Sequence, residues 1–383
     1  MLPRVRPLAL AFSWLLLGVG ASADEPHPTL ALGSPAPDFA LPGVDGKTHK
    51  LSDYAQSKLL VIVFTCDHCP TAQLYEDRIK KLADDYRRKD VALVAIQPNN
   101  PDAIRLDELG YTDVSDSVAE MKIRSEYRHF NFPYLYDGDT QAVALKYGPK
   151  ATPHVFIFDS ERKLRYEGRV DSNQRPTLAK TQDTRNAIDQ LLAGKPVNVA
   201  HTGVFGCSTK WISKQEGRKA EMAKIETEPV EVQMASAEDL KKLRSNDTGK
   251  LLLVNFWATW CGPCLNEFGD IETTYRMYRR RDFDTVMVAT NMPDEKAGVM
   301  KVLKREHAST KNLLFGSTDT DAMQKAFDQG FDSPVPYTVL ISPDGKLVYQ
   351  ETGQVDILKL RRIILAHLPD TDYIGQQAYW ARK

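Results

Sequence analysis

The stretch that most constrains the fold of this chain is LLLVNFWATWCGPCLNE, from Leu251 to Glu267. Its first seven residues, Leu251 to Trp257, are apolar except Asn255, the pattern of a central strand covered on both faces. The run stops at Cys261-Gly262-Pro263-Cys264 and resumes in residues of helical composition, with Pro263 where a first-turn proline is accepted because its missing N–H would be unpaired there anyway. The spacing predicts a buried strand feeding a helix, with Cys261 at the helix N-terminus. Backbone N–H groups and the positive end of the helix dipole favour a thiolate there, and the thiolate is the form that attacks disulfides. Cys264, one turn on, can close on it. The alternatives for such a pair are a zinc site or a structural disulfide. Zinc needs further ligands at matching spacing, and the other CxxC lies 195 residues upstream, counting from Cys66 to Cys261.

The same order of features occurs earlier in the chain. KLLVIVF, from Lys58 to Phe64, is a buried-strand run that ends in Thr65-Cys66-Asp67-His68-Cys69-Pro70, and residues of helical composition follow to Tyr86. An internal repeat is visible beyond it. Pro153 is followed ten residues later by Lys163-Leu164 and Tyr166, then Gly168, Val170 and Asp171; Pro336 is followed ten residues later by Lys346-Leu347 and Tyr349, then Gly353, Val355 and Asp356. The cysteine-to-proline distances are 87 residues (66 to 153) and 75 (261 to 336), so the first copy carries an insertion, which we place in the polar, patternless segment from Pro98 to about Val114. Ile212 to Thr227 is dense in Lys, Arg and Glu with little apolar periodicity, which predicts a solvated helix or linker. A linker of that kind would hold the two cysteine sites at raised effective concentration.

A chain of 383 residues should hold about two domains. Arg4 and Arg6, an apolar stretch from Leu8 to Gly20 and Ala21-Ser22-Ala23 before Asp24 read as a secretory signal over residues 1–23. The apolar part is 13 residues, too short to span a bilayer. Without that leader the chain has 48 basic against 51 acidic residues, a balance that argues against nucleic acid as a partner. Five cysteines in an exported chain, four of them in CxxC pairs, point to catalytic thiols in an oxidising compartment and leave Cys207 over.

FWATWCGPC with Glu267 behind it resembles the TlpA-type branch of the thioredoxin superfamily, over roughly residues 228–368. That branch often has asparagine where Asn255 stands, and the resemblance assigns proton handling to Glu267 and substrate contact to Trp260. It also implies a cis-proline opposite each CxxC: Thr152-Pro153 and Val335-Pro336 would both be cis and would offer backbone to an extended substrate segment. PAPDFALP, FTCDHCP, FPYLYD, YGPKATP and GCSTKW resemble the peroxiredoxin-like group of the alkyl hydroperoxide reductase and thiol-specific antioxidant superfamily, over nearly all of residues 33–211. True peroxiredoxins carry a Thr or Ser three residues before the peroxidatic cysteine; here the corresponding residue is Cys66, counting from Cys69, or Val63, counting from Cys66. A CxxC dithiol is the better reading of the first site. Within it His68, as imidazolium, would stabilise a Cys66 thiolate and make the pair more oxidising, while Asp67 would oppose this; a plain surface histidine is the alternative for His68. His154 reads as a wall residue. Cys207 is either a buried apolar cysteine or a third redox thiol, the second because GCSTKW accompanies CxxC in the family it resembles.

The two resemblances imply an α/β chain of two tandem thioredoxin-like domains, each a central mixed sheet flanked by helices: a peroxiredoxin-like domain over 33–211, a charged linker over 212–229 and a TlpA-like domain over 230–383. The function implied is extracytoplasmic thiol–disulfide exchange on protein disulfides. Cys261 would attack, Cys264 would resolve the mixed disulfide, Glu267 would assist proton transfer, and Cys66 and Cys69 would form a second couple. This needs no cofactor and no resident metal. Expected partners are protein disulfides and a membrane or periplasmic thiol reductant, without stable membrane insertion. Two rivals stand beside it: a peroxide reductase whose first domain is peroxidatic and whose second is its reductant, and a copper-binding or chaperone-like module holding Cu(I) through Cys66, Cys69 and a histidine.

Overall fold

Alternate residues of the two apolar runs face opposite sides of a sheet, and each run is the middle of one. The computed structural model describes residues 27–328 and 334–368, so the expected signal segment and the chain beyond Leu368 lie outside the described residues. In the first half, β1 (Leu59–Phe64) leads to α1 (Pro70–Arg87), β2 (Val91–Gln97), α2 (Val118–Arg128), β3 (Tyr134–Tyr136), β4 (His154–Phe158), β5 (Leu164–Gly168) and α3 (Asp183–Leu192). The sheet order is β3-β2-β1-β4-β5, with the first three strands parallel and β4 and β5 antiparallel. Leu59, Val61 and Val63 pack on one face with the α1 and α3 side; Leu60, Ile62 and Phe64 pack on the other.

After α4 (Gln215–Glu226) the second half repeats the plan: β6 (Gln233–Ala235), α5 (Ala237–Ser245), β7 (Leu251–Trp257), α6 (Gly262–Tyr278), β8 (Phe283–Ala289), α7 (Lys296–Arg305), β9 (Lys311–Phe315), α8 (Thr320–Phe327), β10 (Tyr337–Ile341), β11 (Leu347–Thr352) and α9 (Ile357–His367). Its sheet order is β6-β9-β8-β7-β10-β11, again mixed, with β10 antiparallel to both neighbours. Leu251, Leu253 and Trp257 face one layer, and Leu252, Val254 and Phe256 face the other. Among the described residues no helix is long and apolar enough to cross a membrane.

The insertion in the first copy makes the dock between the halves. Its backbone forms short 3₁₀ turns at Pro101–Ala103 and Leu106–Leu109. Ile104, Leu106 and Leu109 are buried in the same apolar cluster as Met277, Tyr278, Ile364 and Leu368 of the second half. Around this apolar contact the Tyr278 hydroxyl donates to the Thr112 carbonyl at 2.7 Å, Arg281 donates to the Gly110 carbonyl at 3.1 Å, and Arg280 and Arg362 pair with Asp107 and Asp113 at 2.7 Å each. The segment expected to be a solvated helix or linker forms the largely exposed α4, and part of it packs on the dock: Ile225 is buried in that cluster, and Glu221 accepts the backbone N–H groups of Leu106 and Asp107 at 2.7 and 3.2 Å. Arg218, Glu221 and Glu228 of this segment thus hold the dock, while Glu216, Lys219, Lys224 and Glu226 face water. Ile225 is the one buried residue of α4, so the sparse apolar periodicity matches the helix and gave no sign of its docking.

Candidate active sites

At the second site, Cys261 is the N-cap of α6 and its sulfur receives the Cys264 N–H at 3.2 Å; the two cysteines are joined as a disulfide. The Cys261 sulfur lies 3.4 Å from the Val335 carbonyl, and the Val335-Pro336 bond is cis. Trp260, immediately before, is 68 % exposed. Behind the pair, Glu267 is buried, and its two oxygens accept from Asn255 Nδ2 at 3.0 Å and from the Val355 N–H at 2.8 Å. Asn255 donates a second bond to Thr338 Oγ1 at 2.9 Å. An amide at position 255 thus feeds the acid, where a carboxylate would repel it. Burial pushes the Glu267 pKa up to about 7, against the pull of the two hydrogen bonds. Such an acid can gain or lose a proton near neutral pH.

The first site is built on the same frame in a shifted register. Phe64 pairs across the sheet with His154, the residue after Pro153, and Phe256 pairs with Tyr337, the residue after Pro336. Five residues beyond each phenylalanine come Cys69 and Cys261. Cys69 is likewise a helix N-cap, of α1, with its sulfur accepting the Ala72 N–H and lying 3.5 Å from the Thr152 carbonyl ahead of the cis Thr152-Pro153 bond. Cys69 is therefore the counterpart of Cys261, Ala72 takes the place of Cys264, and Cys66 matches Ala258. The two CxxC motifs do not superpose. Cys69 gathers its thiol neighbours from elsewhere: Cys66 precedes it, and Cys207 reaches it from a two-residue strand, Cys207–Ser208, paired antiparallel to Ala151–Thr152. The Cys207 N–H donates to Cys69 Sγ at 3.3 Å, and Cys66 Sγ lies 3.1 Å from Thr152 Oγ1.

These positions reverse one expectation about electrostatics. Burial pushes the Cys66 thiol well up, whereas Cys69, which burial would also raise, is held well below the usual thiol range by hydrogen bonds from Cys207 and Cys66, the charge of His68 and the Ala72 N–H. The thiolate favoured by His68 is thus that of Cys69, not Cys66. His68 is no surface residue: it is 1 % exposed, and its Nδ1 lies 2.6 Å from Asp116 Oδ2, which raises the imidazole pKa against burial. Asp116, itself buried and held below the usual carboxylate range by His68, also accepts the N–H groups of Asp67 and His68 at 2.9 Å and Asn99 Nδ2 at 2.8 Å. Burial raises the Asp67 carboxyl well above its ordinary value, so the like-charge opposition expected of it weakens. His154 does line the wall, buried and bonded to Glu167 Oε2 at 2.8 Å.

Cys69 and Cys261 thus hold equivalent positions in the two repeats, whereas Cys66 and Cys264 do not. Sequence reasoning missed Asp116 and Asn99, which lie in or just past the segment that showed no pattern. The one available signal was the serine-aspartate run Ser115-Asp116-Ser117 ahead of α2, where Ser117 forms a capping box with Glu120.

Comparison with known proteins agrees with this architecture. The AhpC/TSA family model matches residues 32–167 and the Redoxin family model matches residues 219–361. The thiol-disulfide oxidoreductase ResA of Bacillus subtilis (strain 168) is 33 % identical over 114 residues, 30 % of this chain and 59 % of that protein. The thioredoxin-like protein YneN of the same organism is 32 % identical over 108 residues, covering 28 % of this chain and 55 % of that protein. The chain thus spans about three fifths of the length of the curated relatives it matches. Among solved structures, an uncharacterized conserved protein from Geobacillus kaustophilus is 37 % identical, covering 47 % of this chain and 92 % of that one, with a TM-score of 0.43. The chain belongs to the thioredoxin superfamily, as an AhpC/TSA domain followed in tandem by a Redoxin domain.

Proposed function

We propose that the protein is an extracytoplasmic thiol–disulfide oxidoreductase acting on protein disulfides through its second domain. The observation that carries this reading is the placement of Cys261 at a helix N-terminus, 3.4 Å from the Val335 carbonyl ahead of the cis-proline and beside the exposed Trp260. An extended substrate segment can lie along Val335 and Pro336, with the Trp260 ring as an apolar rest beside the reacting sulfur. In the reduced enzyme the Cys261 thiolate attacks one substrate sulfur, forming a mixed disulfide and releasing the other sulfur as a thiolate. Cys264 then attacks Cys261, and the substrate leaves as a dithiol while Cys261–Cys264 closes. Two electrons pass to the substrate; Glu267 takes the Cys264 proton, and the two substrate thiolates are protonated from Glu267 and from solvent. An external thiol reductant restores the pair. The name of the Bacillus subtilis relative supports the reaction class, and the leader-like residues 1–23 support export. In the first domain, Cys69 is the attacking thiol, with Cys66 and Cys207 as its disulfide partners and Thr152 and Pro153 as the flanking wall.

Changing Cys264→Ser should trap substrate proteins as mixed disulfides on Cys261, released by a thiol reductant. Trapping by a Cys261→Ser variant through Cys264, with none in the reverse case, sinks the assignment.

A further inference from the structure

The two sites differ in what can reach their sulfurs. The second faces an exposed tryptophan. In the first, Cys66, His68, Cys69, Asp116 and Thr152 are each no more than 2 % exposed, and only Cys207 is half-buried, at the rim. A protein disulfide cannot touch Cys69 without rearrangement, whereas a single ion can be enclosed.

The donors there are soft and convergent. Cys66 and Cys69 pack in one buried cluster with Cys207 against it, and the Cys207 N–H donates to Cys69 Sγ at 3.3 Å. The Cys66 sulfur, a His68 ring nitrogen and an Asp116 oxygen all lie within 4.8 Å of one another. Asp116 is occupied by two backbone N–H groups, Asn99 and His68. A carboxylate bonded to one ring nitrogen fixes the tautomer and orientation of a histidine, the arrangement that prepares the other nitrogen to bind metal. That other atom, Nε2 of His68, is buried and has no hydrogen-bond partner. Thiolate sulfur selects thiophilic ions and discriminates against magnesium and calcium, which prefer oxygen.

We propose that the pocket formed by Cys66, Cys69, Cys207 and His68 binds one thiophilic d¹⁰ metal ion, Cu(I) or Zn(II), in the reduced protein. No electron moves on binding: each ligating thiol releases its proton as the metal–sulfur bond forms, so retention falls on acidification. The copper arm predicts a three-sulfur shell independent of His68, and the zinc arm a four-ligand shell that includes its Nε2.

The test uses the full chain with Cys261→Ser and Cys264→Ser, so that only the first-domain thiols remain, reduced and kept anaerobic. Cu(I) and Zn(II) are titrated separately against chromophoric chelators, with X-ray absorption of whichever ion is retained. One equivalent per chain with sulfur ligation is expected. Adding Cys69→Ser should abolish retention, and Cys207→Ser, at the half-buried rim where misfolding is least at issue, should weaken it about tenfold or more. His68→Ala separates the arms, losing zinc but keeping copper. Retention of neither ion, or of an ion whose affinity is unchanged by both Cys69→Ser and Cys207→Ser in variants of native circular dichroism, overturns the proposal. The mixed-disulfide trap on Cys261 reports separately on the second domain.

Discussion

Glu267→Gln isolates one buried charge. Below its unfolded pKa of 4.5 the glutamic acid is neutral in both states; as pH rises through its folded value of about 7 the unfolded chain ionises first, so stability is lost over that window. Taken at face value, the shift makes the wild type roughly 2.5 kcal/mol less stable at pH 8 than at pH 5, and solvent screening near the open CGPC face brings this to about 1–2 kcal/mol. Glutamine never ionises, so that slope disappears. It has a single acceptor oxygen, however, where the carboxylate serves both Asn255 Nδ2 and the Val355 N–H. One buried donor is left facing an NH₂ group, at a cost of about 1–3 kcal/mol at every pH. The variant should therefore be less stable than wild type at pH 5, with the gap closing by about 1–2 kcal/mol at pH 8. Urea denaturation of the oxidised full chain at pH 5, 6, 7 and 8 reads this directly. Parallel pH profiles for the two proteins would refute the account of Glu267 as a buried acid with a raised pKa.

Two further perturbations test the first site and the dock. Asp116→Asn leaves His68 without its buried counter-charge, which should cost about 3–5 kcal/mol in chemical denaturation and move the midpoint of Cys69 alkylation to higher pH; an unmoved midpoint would show that His68 does not govern that thiol. Tyr278→Phe removes the 2.7 Å hydrogen bond to the Thr112 carbonyl and should cost about 1 kcal/mol, with faster amide exchange confined to residues 104–116 and α6; unchanged exchange there would mean that the hydroxyl does not hold the dock.

The strands, the helices that follow them and both prolines were legible because each rests on local pattern: seven apolar residues, a breaker, a first-turn proline. The register of the first site was not. CDHC and CGPC look alike as strings, yet the cross-strand partners of Phe64 and Phe256 put Cys69, not Cys66, in the place of Cys261. Asp116 escaped notice for a similar reason, since it lies 48 residues from His68 and its role depends on two backbone N–H groups that no side-chain pattern reveals. The dock was hidden because its apolar residues, Ile104, Leu106 and Leu109, are spaced for tight turns and follow neither a helical nor a strand period.

That dock also decides how the molecule comes apart. Ile104, Leu106 and Leu109 share one continuous apolar cluster with the helices of the following domain, so neither half owns its whole core. Heating should then give a single calorimetric transition whose van't Hoff and calorimetric enthalpies agree, where independently folded beads on a tether would give two. A cut made at the apparent boundary near residue 229 would leave each fragment with a greasy scar, and studying the halves in isolation would measure the stickiness of that scar along with the chemistry of the thiols.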